Sequence, residues 1–131
     1  MIEYTVKVDN GDKYWFLNGK QHREDGPAVE RSNGDKFWYL NDKFHREDGP
    51  AVEFVDGTKQ WFLNGKRHRE DGPAVEGGNG DKQWYLNGQS HSEQEFNNRT
   101  QVQELTIREL EQKLGYKIKI KGESYNESIN K

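Results

Sequence analysis

The sequence repeats itself every 23 residues, and this period constrains the fold more than any other feature. The clearest copy covers residues 61–76 (WFLNGKRHREDGPAVE), and near-copies cover residues 15–30 and 38–53. A fourth copy begins at Trp84 and diverges after His91. A uniform period without insertions is typical of an array in which each unit packs on its neighbours.

Each repeat has the residue pattern of a β-hairpin. Trp and Leu lie two residues apart on a short strand, so they share one face, and a Phe or Tyr between them points to the other face. We predict that the Trp/Leu face is buried and that the Phe/Tyr row is half exposed. A second strand, Pro-Ala-Val-Glu, follows a polar loop, and its proline is tolerated at the first position of a strand. The sequence therefore predicts two antiparallel strands per repeat.

Two sets of turn dipeptides separate these strands. Asn-Gly and Asp-Gly tolerate the positive φ that both central residues of a two-residue type I′ hairpin require. We predict such a turn before each Trp strand, at Asn10-Gly11, Asn33-Gly34, Asp56-Gly57 and Asn79-Gly80. The second set follows each Trp strand and opens the polar loop KxHREDG, at Asn18-Gly19, Asn41-Asp42, Asn64-Gly65 and Asn87-Gly88.

The two ends of the chain depart from the repeat. Residues 2–8 alternate apolar and polar side chains, which predicts a strand that completes the first hairpin. Ser92 is placed to cap a first helix. Thr106 and Glu109 form a capping-box pattern for a second helix, which Gly115 ends. Residues 116–121 (YKIKIK) alternate as a further strand, which we expect to pair locally.

These patterns define the predicted architecture. The fold class is mainly β, an elongated antiparallel meander of about eight strands with a short C-terminal α+β cap. Residues 1–91 form the hairpin array, residues 92–121 the helical cap with its terminal strand, and residues 122–131 a flexible tail.

Composition excludes several classes of function. The chain is 30% hydrophobic and 33% charged with a net charge of −3, and charges of both signs alternate along it. No basic block predicts nucleic-acid binding, and no apolar run predicts a membrane segment. Cysteine is absent, which excludes disulfides and thiolate metal sites and makes the cytoplasm the expected compartment.

The skeleton of aromatic strand, W-x-x-N-G-K-x-H and G-x-[AV] strand resembles the MORN repeat and its bacterial variants, over roughly residues 9–88. The HREDGPA wording and the ending LT-x-x-E-L-x-x-x-LGYKIKI look more like small uncharacterised repeat proteins of tailed phages. MORN repeats read H-G-x-G where this chain reads His22-Arg23-Glu24-Asp25-Gly26. The lipid association of some MORN proteins is therefore not expected here.

The repeated polar and aromatic side chains are the candidate binding residues. No nucleophile lies beside the histidines, and catalysis needs one constellation rather than three equivalent copies, so we expect no enzyme. Equivalent histidines of neighbouring repeats are separated by roughly 9–10 Å, too far to share a metal ion, and no cofactor is expected. The candidates are His22, Arg23, Glu24, His45, Arg46, Glu47, His68, Arg69, Glu70, Phe16, Tyr39, Phe62 and Tyr85.

Three functions remain open from the sequence. Regular ribbons of aromatic and Arg side chains suit a protein partner, and the phage resemblance implies an accessory protein that binds and inhibits a host defence protein in the host cytoplasm. The same residues can instead sequester a small nucleotide and block host immune signalling. In the third alternative the array is purely structural, with the acidic and basic residues of the loops forming turns and ion pairs. Residues 2–8 also leave a free sheet edge, which favours a homodimer.

Overall fold

A computed structural model describes residues 3–101 and 106–117. The chain divides into two compact units, Met1–Thr100 and Gln101–Lys131. The fold is mainly β, an antiparallel meander of hairpins in an open sheet with two short C-terminal helices, which confirms the predicted fold class. In the part of the chain that is described, no helix has the length and apolar character needed to cross a bilayer.

Among the described residues, the first unit contains fourteen short strands and one helix, and the second contains one helix. The helices are α1 (Glu93–Thr100) and α2 (Ile107–Leu114). The strands are β1 (Thr5–Asp9), β2 (Asp12–Leu17), β3 (Lys20–Gln21), β4 (Val29–Glu30), β5 (Lys36–Phe37), β6 (Tyr39–Leu40), β7 (Lys43–Phe44), β8 (Val52–Glu53), β9 (Lys59–Gln60), β10 (Phe62–Leu63), β11 (Lys66–Arg67), β12 (Val75–Glu76), β13 (Lys82–Leu86) and β14 (Gln89–His91).

The strands form one main sheet with a row of small hairpins beside it. The order of the main sheet is β1-β2-β4-β5-β8-β9-β12-β13-β14, with β3 paired to β2, and β6-β7 and β10-β11 form separate pairs. Each Trp strand therefore pairs through its first half with the Val-Glu strands and through its second half with the strand after the Asn-Gly turn. The repeat contains this additional short strand, which the prediction of two strands per repeat missed.

Backbone hydrogen bonds join the small hairpins of successive repeats. The amide of Arg23 donates to the carbonyl of Tyr39 at 3.1 Å, and the amide of Asp42 donates to the carbonyl of Gln21 at 2.9 Å. Equivalent bonds connect Arg46 to Phe62 at 3.2 Å. The residues of the repeated pattern K-x-H-R in one repeat thus bond to the Trp strand and turn of the next.

The prediction of four type I′ turns before the Trp strands is correct only for the first. Asn10 and Gly11 both have positive φ (49° and 87°) between the paired residues Asp9 and Asp12. At the second position only Gly34 has positive φ, and its amide donates to the carbonyl of Arg31 at 2.9 Å. Five residues separate the paired strands there, so these are longer turns with a single left-handed glycine. The same holds for the turns that contain Gly57 and Gly80.

The turns after the Trp strands have the type I′ geometry instead. Asn18 and Gly19 have φ of 52° and 79°, and the flanking residues Leu17 and Lys20 are paired. The turns at Asn64-Gly65 and Asn87-Gly88 repeat this geometry. In the second repeat Asp42 takes the glycine position with φ 65°.

The core is thin and lies mainly under the Pro-Ala-Val-Glu strands. Ala28, Ala51 and Ala74 are fully buried. The expectation that the Trp/Leu face is the more buried one is wrong in the third repeat, where Phe62 is buried and Trp61 is partly exposed. Phe62 packs against Phe44 of the previous repeat, whereas Trp61 faces the polar loop and contacts Arg69.

Both helices begin where the sequence predicts, and α2 also ends there. In α1, the Ser92 hydroxyl accepts a hydrogen bond from the amide of Glu95, Phe96 is buried, and the helix packs on β13 and β14. In α2, Thr106 and Glu109 form both bonds of the capping box, and Gly115 ends the helix with φ 81°. The predicted strand over residues 116–121 lies mostly outside the described residues, as does the predicted tail over residues 122–131.

Candidate functional site

The arginine of each HREDGP loop is folded back onto the tryptophan of its own repeat. In the second repeat the guanidinium carbon of Arg46 lies 3.9 Å from the centre of the Trp38 ring. Its Nε donates to Asp48 at 3.0 Å, and its Nη1 donates to the carbonyl of Pro50 at 3.0 Å and to Glu53 at 3.4 Å. The guanidinium is therefore engaged by one ring, two carboxylates and one carbonyl.

The other two loops repeat this arrangement. Arg23 lies 4.0 Å from the centre of the Trp15 ring, and Arg69 lies 3.8 Å from that of Trp61. Asp25 and Asp71 accept from these arginines at 3.0 and 2.8 Å. In all three repeats the guanidinium charge of the loop arginine is thus paired with side chains of the protein itself.

The glycine of each loop makes room for the guanidinium. A Cβ atom at Gly49 would lie only 2.9 Å from Cζ of Arg46, and one at Gly72 would lie 2.9 Å from Cζ of Arg69. These glycines have no positive φ, so what distinguishes them is the close approach of the arginine side chain and not their backbone conformation.

The histidine of each loop connects its repeat to the next. Nδ1 of His22 accepts a hydrogen bond from the amide of Asn41 at 3.0 Å, and Nδ1 of His45 accepts from the amide of Asn64 at 2.9 Å. His68 accepts from the next repeat in the same way. Since Nδ1 is an acceptor, the proton of the neutral ring is on Nε2, which faces the glutamate two residues along (3.8 Å from His45 to Glu47).

Successive loops enclose two equivalent grooves. The first groove, of about 720 Å³, lies between residues 23–27 and residues 45–48, with Trp38 and Leu40 also lining it. The second groove, of about 630 Å³, lies between residues 46–50 and residues 68–71, with Trp61 and Leu63 in the corresponding places. The Trp/Leu face of the strands therefore lines the grooves.

The rims of the grooves are acidic. The side chains of Glu47 and Asp48 are 84% and 87% exposed, whereas that of Arg46 is only 23% exposed. Glu70 and Asp71 have the same exposure pattern around the second groove. A ligand in these grooves consequently meets an aromatic and aliphatic surface bordered by carboxylates.

The Phe/Tyr row lines neither groove, so the structure separates it from the predicted loop residues. Tyr39 stacks on Phe44 with ring centres 4.5 Å apart, and Phe44 packs on Phe62 with centres 5.0 Å apart. Burial, with the negative charge of Asp42 adding to it, raises the pKa of the Tyr39 hydroxyl. The row therefore packs one hairpin on the next.

The ends of the Phe/Tyr row have cationic neighbours. Lys7 lies 5.2 Å from the ring centre of Phe16. The guanidinium of Arg67 lies between Phe62 and Tyr85, at 5.4 and 5.5 Å from the ring centres. Arg67 occupies the position that Phe44 has in the previous repeat.

Sequence reasoning missed two kinds of residue. Trp38 and Leu40 line the first groove, although they were assigned to the core. Phe44 and Arg67 occupy the variable position of K-x-H, which looked uninformative because its identity changes from Gln21 to Phe to Arg. A signal was present for the tryptophans only, since each precedes the loop arginine by eight residues in all three copies.

Among the described residues, no three His, Cys, Asp or Glu side chains are grouped so as to hold a metal ion. No protein-family model matches the chain, and no curated protein or solved structure is significantly similar to it.

Proposed function

We propose that this chain is a non-catalytic binding protein that holds a segment of a partner protein in the grooves between its HREDGP loops. The observation that carries this proposal is the duplication of one groove. The same tryptophan, leucine, histidine and acidic residues line both grooves, one repeat apart. Regularly spaced copies of one surface are how repeat arrays recognise extended chains.

The charge distribution supports a protein partner over a nucleotide. A phosphate group binds best to an unpaired cation, yet the guanidinium charges of Arg23, Arg46 and Arg69 are each already paired with an aspartate and a glutamate. The exposed carboxylates of Glu47 and Glu70 would repel a phosphate at the rim. A protein segment with basic side chains complements the same surface.

The resemblance to small phage repeat proteins makes a bacterial host protein the first class of partner to test. In this proposal the chain acts in the host cytoplasm, and it blocks a host defence protein by occupying one of that protein's basic segments.

The test is capture from bacterial lysate by the immobilised full chain, followed by mass spectrometry. A double charge reversal, Glu47→Lys with Glu70→Lys, should abolish capture, because it places positive charge on the rim of both grooves. The matched control Asp9→Lys with Glu93→Lys changes the net charge equally outside the grooves and should retain capture.

Two results would contradict the proposal. Equal capture by both double variants would show that the grooves are not the binding surface. Release of a small molecule on heating, with no protein captured, would favour nucleotide sequestration.

A further inference from the structure

The first HREDGP loop already carries an aromatic side chain from elsewhere in the chain. Tyr4 precedes β1, and its ring lies nearly parallel to that of His22, with centres 6.5 Å apart and an interplanar angle of 26°. Its hydroxyl accepts a hydrogen bond from the amide of Glu24 at 3.2 Å. One tyrosine thus contacts both the histidine and the glutamate backbone of the first loop.

The two residues that correspond to these contacts line the open grooves in the later repeats. His45 and Glu47 line the first groove, and His68 and Glu70 line the second. Among the residues that the structure describes, the bond from the Glu24 amide to a tyrosine hydroxyl has no counterpart at Glu47 or Glu70.

The loop histidines also differ in burial between the first repeat and the later two. The side chain of His22 is 8% exposed, whereas those of His45 and His68 are 14% and 13% exposed. The most covered of the three histidines, His22, is the one that lies beside the ring of Tyr4. The first repeat therefore shows a tyrosine contact that the second and third repeats lack.

We infer that each open groove binds a tyrosine side chain of the partner protein, with its ring against the loop histidine and its hydroxyl accepting from the glutamate amide. This inference rests on the proposed function and names the chemistry of the partner segment. Lysine or arginine residues flank the tyrosine, because the carboxylates of Glu47 and Asp48 in one groove and Glu70 and Asp71 in the next border the site.

Tyrosine suits the geometry better than phenylalanine. The ring supplies apolar area for the Trp/Leu lining, and the hydroxyl supplies the acceptor that a loop amide lacks. Leaving that amide without a partner in a closed groove costs the free energy of one hydrogen bond, which corresponds to roughly threefold to tenfold in affinity.

The experiment is an NMR titration of the isotope-labelled full chain with a capped Lys-Tyr-Lys peptide. The backbone amides of Glu47 and Glu70 should show the large downfield shift of a newly formed hydrogen bond. The amide of Glu24 also lines the first groove but already donates to Tyr4, so it should not show a shift of this kind. A Lys-Phe-Lys peptide should bind roughly threefold to tenfold more weakly. A Glu-Tyr-Glu peptide should also bind roughly threefold to tenfold more weakly, because exposed ion pairs become repulsions.

The variant Tyr4→Ala extends the test. It should open the first loop, so that the amide of Glu24 joins the responding set and the number of sites rises from two to three. If this variant does not fold, the titration of the unmodified chain still decides.

Equal affinity for the phenylalanine peptide, shifts outside the grooves, or no shift at all would each overturn the inference. A different outcome would overturn this inference alone. In it, the unmodified chain captures a protein that the Glu47→Lys, Glu70→Lys variant does not, and the tyrosine peptide causes no response. The proposed function would then still stand.

Discussion

Arg46 covers one face of the Trp38 ring, with its guanidinium carbon 3.9 Å from the ring centre. The strand beneath is held independently, because the amide of Trp38 donates to the carbonyl of Ala51 at 2.8 Å. The HREDGP loop thus contacts Trp38 through the side chain of Arg46, and the Pro-Ala-Val-Glu strand is bonded to the backbone of Trp38. The same pair occurs in three successive repeats, so it stabilises the array at regular intervals.

Removing this arginine should destabilise the protein. We expect Arg46→Ala to lower the free energy of unfolding by about 2 kcal/mol, because the cation–π contact and the bonds to Asp48, Pro50 and Glu53 are lost together. Arg46→Lys should recover less than half of this, since an ammonium group lacks the planar fork. Urea denaturation measures both. Arg31→Ala, at an exposed turn position, is the control, and an equal loss there would contradict the assignment.

The histidine bonds between repeats lead to a second prediction. His45→Phe keeps the ring but removes the acceptor for the amide of Asn64, so the free energy of unfolding should fall by about 1 kcal/mol. Exchange of the Asn64 amide with deuterium should accelerate. His91→Phe is the matched control, because Nδ1 of His91 faces the Glu95 side chain rather than a backbone amide of a following repeat. Unchanged exchange at Asn64 would argue against the bond.

The turns show why the sequence predicted the meander but not its details. Asn18-Gly19 and Asn33-Gly34 are the same dipeptide, yet only the first has positive φ at both residues. The difference lies in the number of residues between the paired strand ends, two in one case and five in the other. Register is set by side-chain packing across the sheet together with the turn, so the dipeptide alone does not determine it.

The candidate site, like the turns, was predicted only in part. The loop residues of the grooves were identified from their repetition, but the role of the arginines was not. Arg46 and Trp38 are eight residues apart, and only the fold brings them into contact. Tyr4 was predicted as a strand residue, since nothing in the alternation of residues 2–8 indicates a contact with His22.

Two glycines in the turn before β13 should differ in their tolerance of a side chain. A Cβ at Gly78 would overlap the carbonyl oxygen of Asp56 in the turn of the previous repeat, whereas a Cβ at Gly80 would meet no atom. Gly80 has φ 96°, so Gly80→Ala should cost about 1 kcal/mol through backbone strain alone. Gly78→Ala should cost at least about 2 kcal/mol, because the backbone of one turn must move. Thermal unfolding of both variants measures the difference, and equal losses would contradict the close approach.

Acid should weaken the connection between the first two turns. The amide of Ser32 donates to Asp12 at 2.7 Å, and this bond holds the pKa of the Asp12 carboxyl below its ordinary value. A lowered pKa in the folded state means that the stabilisation is present above the ordinary value and is lost as the pH falls through the folded value. Asp12→Asn keeps an acceptor oxygen that does not titrate, so its acid-induced loss of stability should be shallower. Carbon-detected NMR titration gives the midpoint directly, and a midpoint at or above the ordinary value would refute the prediction.

The first strand should support a two-fold homodimer through its free edge. β1 pairs only with β2 among the described strands, all five of its residues are exposed, and Val6 and Val8 are 46% and 66% exposed. An uncovered edge offers unpaired backbone groups to a second copy. Because the amides of successive residues point to opposite edges, Thr5→Pro and Val6→Pro remove one donor toward β2 and one toward the free edge. The variant that spares β2 should be a folded monomer by light scattering and circular dichroism, and an unmodified chain that is monomeric at high concentration would rule out the dimer.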